Sequence, residues 1–163
     1  MAETAKERVL RYLTDAHAAE EGGLASLKDL AAEATHPDVR SVVTEHISVT
    51  QSQLDRLEAR ITALGGKPSG GKSALNTLAA KGSGLLNAFH DQEDKLTQDV
   101  IKAFSLEYFE VGVYTSLKAY SSAVGDTQTA QLAETIISEE RQAGEKMERL
   151  IPLVAVSAVA KTA

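Results

Sequence analysis

The sequence has 163 residues, a formal net charge of −6, a pI near 5.2 and no cysteine. That length suits one domain with a substantial core, while the acidic balance and the lack of a basic stripe interleaved with aromatics argue against a nucleic-acid partner. Without sulfur there are no disulfides, no thiolate catalysis and no cysteine-bound zinc or iron–sulfur centre, so any metal must be held by oxygen and imidazole.

Hydrophobic residues make up 43% of the chain and aromatic ones only 4%, which predicts an all-α protein packed through small aliphatic side chains. The amino terminus has no apolar core of a signal peptide and runs straight into helical periodicity, so a cytoplasmic location is expected. The first helix is predicted over residues 4–34, where Val9, Leu13, Ala16, Glu20, Leu24, Leu27 and Ala31 recur at spacings of three and four. Gly22 and Gly23 follow Glu20 and weaken the helix locally, leaving room for a close contact.

Thr35-His36-Pro37-Asp38 breaks the pattern, with Pro37 suited to a first turn and Asp38 to a helix dipole. The second helix is predicted to run to about Leu64 on the stripe Val39, Val43, His46, Thr50, Gln53/Leu54, Leu57, Ile61 and Leu64. Residues 65–73 are a glycine-rich crossover, and residues 73–89 can form a short helix that carries the chain from one helix pair to the other. The crossover also matches the phosphate-loop pattern GxxxxGK[ST] from Gly66 to Ser73. That loop needs a buried strand before it, whereas residues 57–64 have helical period.

The third helix is predicted over residues 91–124, with Ala103, Glu107, Glu110, Tyr114, Leu117 and Ser121 on one stripe. Gly125-Asp126-Thr127 supplies a stop and a new cap. The fourth helix then turns Ala133, Ile136, Glu140, Ala143, Met147 and Leu150 inward. The apolar run from Ile151 to Ala160 contains Pro152 and is too short for a membrane span. It reads as a helix end followed by a tail over residues 156–163, covering a bundle end or a subunit contact. Two helical hairpins joined by a long crossover make residues 1–155 a ferritin-like up-down four-helix bundle.

Each helix interrupts its apolar stripe with polar residues near the middle. These are Glu20; His46, Thr50 and Gln53; Glu107 and Glu110; and Glu140 beside Glu139. Carboxylates are rarely buried unless paired or bound to a cation, so one such layer across a bundle predicts a metal site. In antiparallel helices, residues equally far from the connecting turn share a height. Counting from His36 sets Glu20 level with position 52, between Thr50 and Gln53, and counting from Gly125 sets Glu140 level with Glu110. Glu107 is a turn away, close enough for two metals roughly 3.5–4 Å apart. His46 falls off the Glu20 level and is expected at the edge of the site. The plainer alternative turns some of these glutamates to solvent.

Five segments together resemble a known family. They are Asp15-Ala16-His17-Ala18-Ala19-Glu20-Glu21, the helix-two series His46, Thr50, Gln53, Arg56, Leu57 and Glu58, the helix-three series Leu106-Glu107-Tyr108-Phe109-Glu110-Val111 with Tyr114 and Leu117, Gly125-Asp126-Thr127, and Glu139-Glu140-Arg141. Over nearly its whole length the chain resembles the YciE/YciF-like stress-associated proteins of the ferritin-like superfamily. The resemblance implies a ferritin-like bundle, commonly dimeric, with a carboxylate-bridged dinuclear iron or manganese site. Its residues here would be Glu20, His46, Gln53, Glu107, Glu110 and Glu140. The chain departs from the family pattern at Val49, where a Glu would stand, and at Tyr108, where a His often stands. With Val49 in place of a ligand, one metal, two weakly held metals or none remain open.

His17, His36 and His90 are expected at the surface or in turns, with His17 alternatively supporting Glu20. Tyr114 is expected in the core, or as a hydrogen-bond donor or redox-active neighbour to the carboxylates. No nucleophile–base–orienter set is spaced for hydrolysis. The function that the resemblance implies is that of a stress-associated di-metal oxidoreductase of peroxidase, catalase or oxidase type, acting on peroxide or dioxygen as a homodimer. The alternative is a non-enzymatic structural or interaction protein of the same fold with a degenerate or empty metal site. Iron storage would require a large symmetric shell.

Overall fold

The computed structural model describes residues 3–68 and 94–159, and the described residues form four α-helices: α1 (Ala5–Glu33), α2 (Pro37–Ala63), α3 (Lys95–Ala123) and α4 (Thr127–Val159). The short crossover helix expected over residues 73–89, His90 and the end of the phosphate-loop-like stretch lie outside the described residues. Helix α2 runs through Leu57 to Ala63, so no strand precedes that stretch and a nucleotide-binding loop has no support to stand on.

The helix ends follow from local chemistry. Thr4 caps α1 in a capping box, its Oγ1 accepting from the Glu7 N–H at 3.2 Å while Glu7 Oε2 accepts from the Thr4 N–H at 2.7 Å. Pro37 opens α2, and His36 Nδ1 accepts from the Asp38 N–H at 3.3 Å. At the far end Gly65 takes φ 79°, and Gly66 N–H closes onto the Ile61 carbonyl at 2.9 Å. Gly125 does the same after α3 with φ 82°, Asp126 N–H reaching the Ser121 carbonyl at 2.9 Å. Asp126 then caps α4, accepting the Thr129 N–H at 3.0 Å.

The chain packs α1 on α2, α3 on α4, α1 on α3 and α2 on α4. Cross-helix contacts give the directions. Glu33 meets Lys95 and Tyr12 meets Tyr120 between α1 and α3; Glu45 meets Lys146 and Arg60 meets Asp126 between α2 and α4. Both pairs are antiparallel, as are the hairpins, so α2 and α3 run parallel and the order is up-down-down-up.

Two apolar clusters fill the bundle. One holds Val9, Leu13, Leu57, Ile61, Leu117 and Ile136; the other holds Leu27, Leu30, Val39, Val43, Met147 and Leu150. The polar residues lie between them. Helix α4 does not give way to a tail at residue 156, because it continues through Pro152 to Val159. Pro152 and Glu148 are both exposed, so the backbone hydrogen bond that Pro152 cannot make is lost on the solvent face of the helix. No helix among the described residues is long and apolar enough to cross a membrane.

Candidate metal centre

The layer between the two apolar clusters is made of side chains that rarely occur inside proteins. Glu20, Glu107 and Glu140 are each 1% exposed, and Glu110, His46, Gln53 and Thr50 are buried with them. The alternative that some of these glutamates face solvent is therefore wrong for all four. Ligand-type atoms converge in two sets, His46 with Glu107 and Glu140, and Glu20 with Glu110 and Glu140, the atoms of each set lying within 4.8 Å of one another. Glu140 belongs to both.

His46 Nε2 lies 2.8 Å from Glu107 Oε2 and 3.7 Å from Glu140 Oε2, so His46 stands inside the cluster and not at its edge. The reason lies in the shape of the site, which has two levels. Glu110, Glu140 and Glu20 form one; Glu107 is a turn earlier in α3, and α2 brings His46 beside it. Measured only against Glu20, His46 looked misplaced.

Neighbouring groups fix the carboxylates from outside. Tyr114, 1% exposed, donates its hydroxyl to Glu20 Oε1 at 2.6 Å. Gln53 Nε2 donates to Glu140 Oε1 and, at 3.1 Å, to Glu139 Oε2, which also takes Arg56 Nη2 at 2.6 Å. Gln53 thus turns its amide N–H groups, which cannot ligate, toward the carboxylates, while its oxygen is buried without a hydrogen-bond partner. Gly23 makes space on the other side: a Cβ there would sit 3.3 Å from Glu110 Oε1. His17 is buried, contrary to the surface position expected for it. It packs against α2 with Nε2 3.2 Å from Glu58 Oε1, and its contacts with Glu58 and Glu21 lead away from the layer.

The model of a domain of unknown function (DUF892) matches residues 4–160. The chain belongs to the DUF892 family. Solved structures share its bundle. YcfI from Rhodopseudomonas palustris is 27% identical with a TM-score of 0.75, over 89% of this chain and 93% of that one. The E. coli stress protein YciF is 17% identical with a TM-score of 0.74, over 94% and 98%. A ferritin-like, diiron-carboxylate protein from Bacillus anthracis is 18% identical with a TM-score of 0.73, over 93% and 99%. The fold is ferritin-like.

Burial governs the electrostatics of the layer. Desolvation, with the Glu140 charge adding to it, raises the Glu20 carboxyl to about 8 against the donation from Tyr114. Glu107 rises to about 7 through burial, and Glu140 to about 9 through burial and its contact with Glu107. Burial and the three neighbouring carboxylates push Glu110 well above its ordinary range. Burial lowers His46, favouring neutral imidazole, the form that ligates metals. Glu107 Oε2, Glu110 Oε1 and Glu140 Oε2 are buried with no aligned hydrogen-bond donor, even though His46 lies close to two of them.

Bundles of this type hold di-metal sites with a Glu from each of two helices and a Glu-x-x-His pair from each of the others. Here the layer carries no such pair: Ala143 stands three residues after Glu140 on α4, and α2 brings Thr50 and Gln53 to the layer. That spacing was legible in the sequence and shows where the usual imidazoles are missing. His46 on α2 is the one imidazole in the layer among the described residues.

Proposed function

We propose that the layer binds two divalent transition-metal ions, iron or manganese, through Glu20, Glu110 and Glu140 on one side and His46, Glu107 and Glu140 on the other. The supporting observation is the set of three buried carboxylate oxygens without an aligned hydrogen-bond donor, one each on Glu107, Glu110 and Glu140. Cations satisfy such oxygens and remove the mutual repulsion that otherwise keeps protons on them. The donors are all oxygen and imidazole, a set suited to iron and manganese. The likeness to a protein described as ferritin-like and diiron-carboxylate points the same way. When bound, such ions would supply the electrons for reduction of peroxide or dioxygen.

The chain's own residues have defined tasks in this reading. Glu140, held by Gln53, belongs to both sets and would help to hold both ions. Tyr114 holds Glu20 by one oxygen, and the other would be free to hold a cation. The two apolar clusters exclude bulk water from the layer. The protein acts as a stress-associated, cytoplasmic homodimer, with exposed Phe109, Leu153 and Val156 available to a subunit contact; light scattering after size exclusion tests the dimer.

Metal analysis of the purified protein is the direct experiment. Two equivalents of metal per chain, lost in Glu107→Ala and Glu140→Ala, are expected; unchanged metal content in both variants overturns the assignment. A second reading, a metal-free structural protein of the same fold, draws on Val49, Gln53 and Ala143 standing where ligands would be. An anomalous-scattering peak at Glu140 decides against it.

A further inference from the structure

Between α2 and α4 the surface opens into a cleft of about 120 Å³, whose lining includes Glu45, His46, Val49, Glu139, Ala143 and Lys146. The cleft touches the ligand layer at one residue, His46, which is 6% exposed and lies 2.8 Å from Glu107 Oε2. Elsewhere around the layer, side chains pack closely on its ligands. Leu106 and Glu110 pack on Gly23, Tyr114 covers Glu20, Gln53 covers Glu140, and an apolar cluster closes each end. The opening follows from Val49 and Ala143, whose short apolar side chains stand beside His46.

The charged groups on the cleft are graded inward. The Glu45 side chain is 61% exposed, that of Glu139 28%, and that of His46 6%. Lys146 Nζ sits 2.9 Å from Glu45 Oε1, and Arg56 holds Glu139 from the far side. We infer that the cleft is the path by which a hydrated divalent cation reaches the buried layer, Glu45 and Glu139 drawing it toward His46 while the Lys146 ammonium competes for Glu45. A space of this size holds several waters, so a cation can shed its shell in steps as carboxylate and imidazole replace it. The carboxylates raise the local cation concentration, and the ammonium lowers it. The inference rests on the metal-binding reading of the layer and adds the route.

Cobalt(II) alone, followed by visible absorption in stopped-flow mixing, separates the two. Wild-type protein is expected to bind it to a fixed stoichiometry. Val49→Trp is expected to keep that stoichiometry and slow the approach to it by tenfold or more, Glu45→Gln to slow it severalfold, and Lys146→Met to speed it. Should Val49→Trp fail to fold, Val49→Ala, which widens the cleft, is expected to speed uptake, and an unchanged rate there counts against the path. No cobalt uptake by the wild type overturns the site and the path together. Full stoichiometry at wild-type rates in the Val49 variants and in both charge variants overturns the path and leaves the site standing.

Discussion

Glu140 is gripped from two helices: Gln53 of α2 donates to its Oε1, while its Oε2 lies near His46 with no aligned donor. A neutral amide at this position can keep the hydrogen bond with Gln53 but cannot serve as a shared anionic ligand. Because burial and Glu107 keep the Glu140 carboxyl protonated to about 9, Glu140→Gln changes little in the metal-free protein at neutral pH. In chelator its melting temperature should match the wild type closely. With manganese at a hundred times the wild-type Kd, the wild type should gain about 2.7 kcal/mol for each occupied site by mass action and the variant almost none. Calorimetry with and without manganese reads both. Tyr114→Phe behaves in the opposite way. It strips Glu20 Oε1 of the donor shown at 2.6 Å and should cost about 1–3 kcal/mol in chelator, measured by urea unfolding.

Among the helices, what the sequence made legible was what local chemistry decides. The capping box at Thr4, Pro37 at the start of α2 and the stop at Gly125 all depend on residues within a turn of one another, and each forms. The buried carboxylates were legible too, because a charge on an apolar stripe has few physical explanations. Positions set by contact between distant helices were harder. His46 meets Glu107 because α2 and α3, separated by the crossover, are both registered against α4, and no spacing within one helix reports that. Gly23 is an intermediate case: a helix-weakening residue was evident, whereas its partner, Glu110 of α3, was not. Its role gives a test. A Cβ at position 23 already comes within 3.3 Å of Glu110 Oε1 and 3.5 Å of Leu106 Cδ2, so the branched side chain of Gly23→Val must displace one or both. Bound metal should fall by at least half while far-ultraviolet dichroism keeps the wild-type helix content; full metal retention would show that the Glu110 position does not depend on this contact.

Across the whole molecule, the fold holds a layer of carboxylates that it solvates poorly without a cation, and this links stability to pH. The ordinary value for these groups is 4.5, whereas in the folded chain Glu107, Glu20 and Glu140 rise to about 7, 8 and 9, and Glu110 rises as well. Between the ordinary and the raised values the folded state binds more protons than the unfolded one, so stability falls as pH climbs. The contribution is complete below 4.5 and is lost as pH passes through 7 to 9. His46 works against this trend, since its lowered value makes the folded state release a proton early. One imidazole against four carboxylates leaves the sign unchanged. In chelator, the melting temperature should therefore drop from pH 5 to pH 9. Saturating manganese needs the carboxylates deprotonated, so binding strengthens along the same interval and the drop should flatten or reverse. A metal-free structural protein would instead show the same fall in chelator and in manganese, which makes this pair of melting curves a test of what the layer is for.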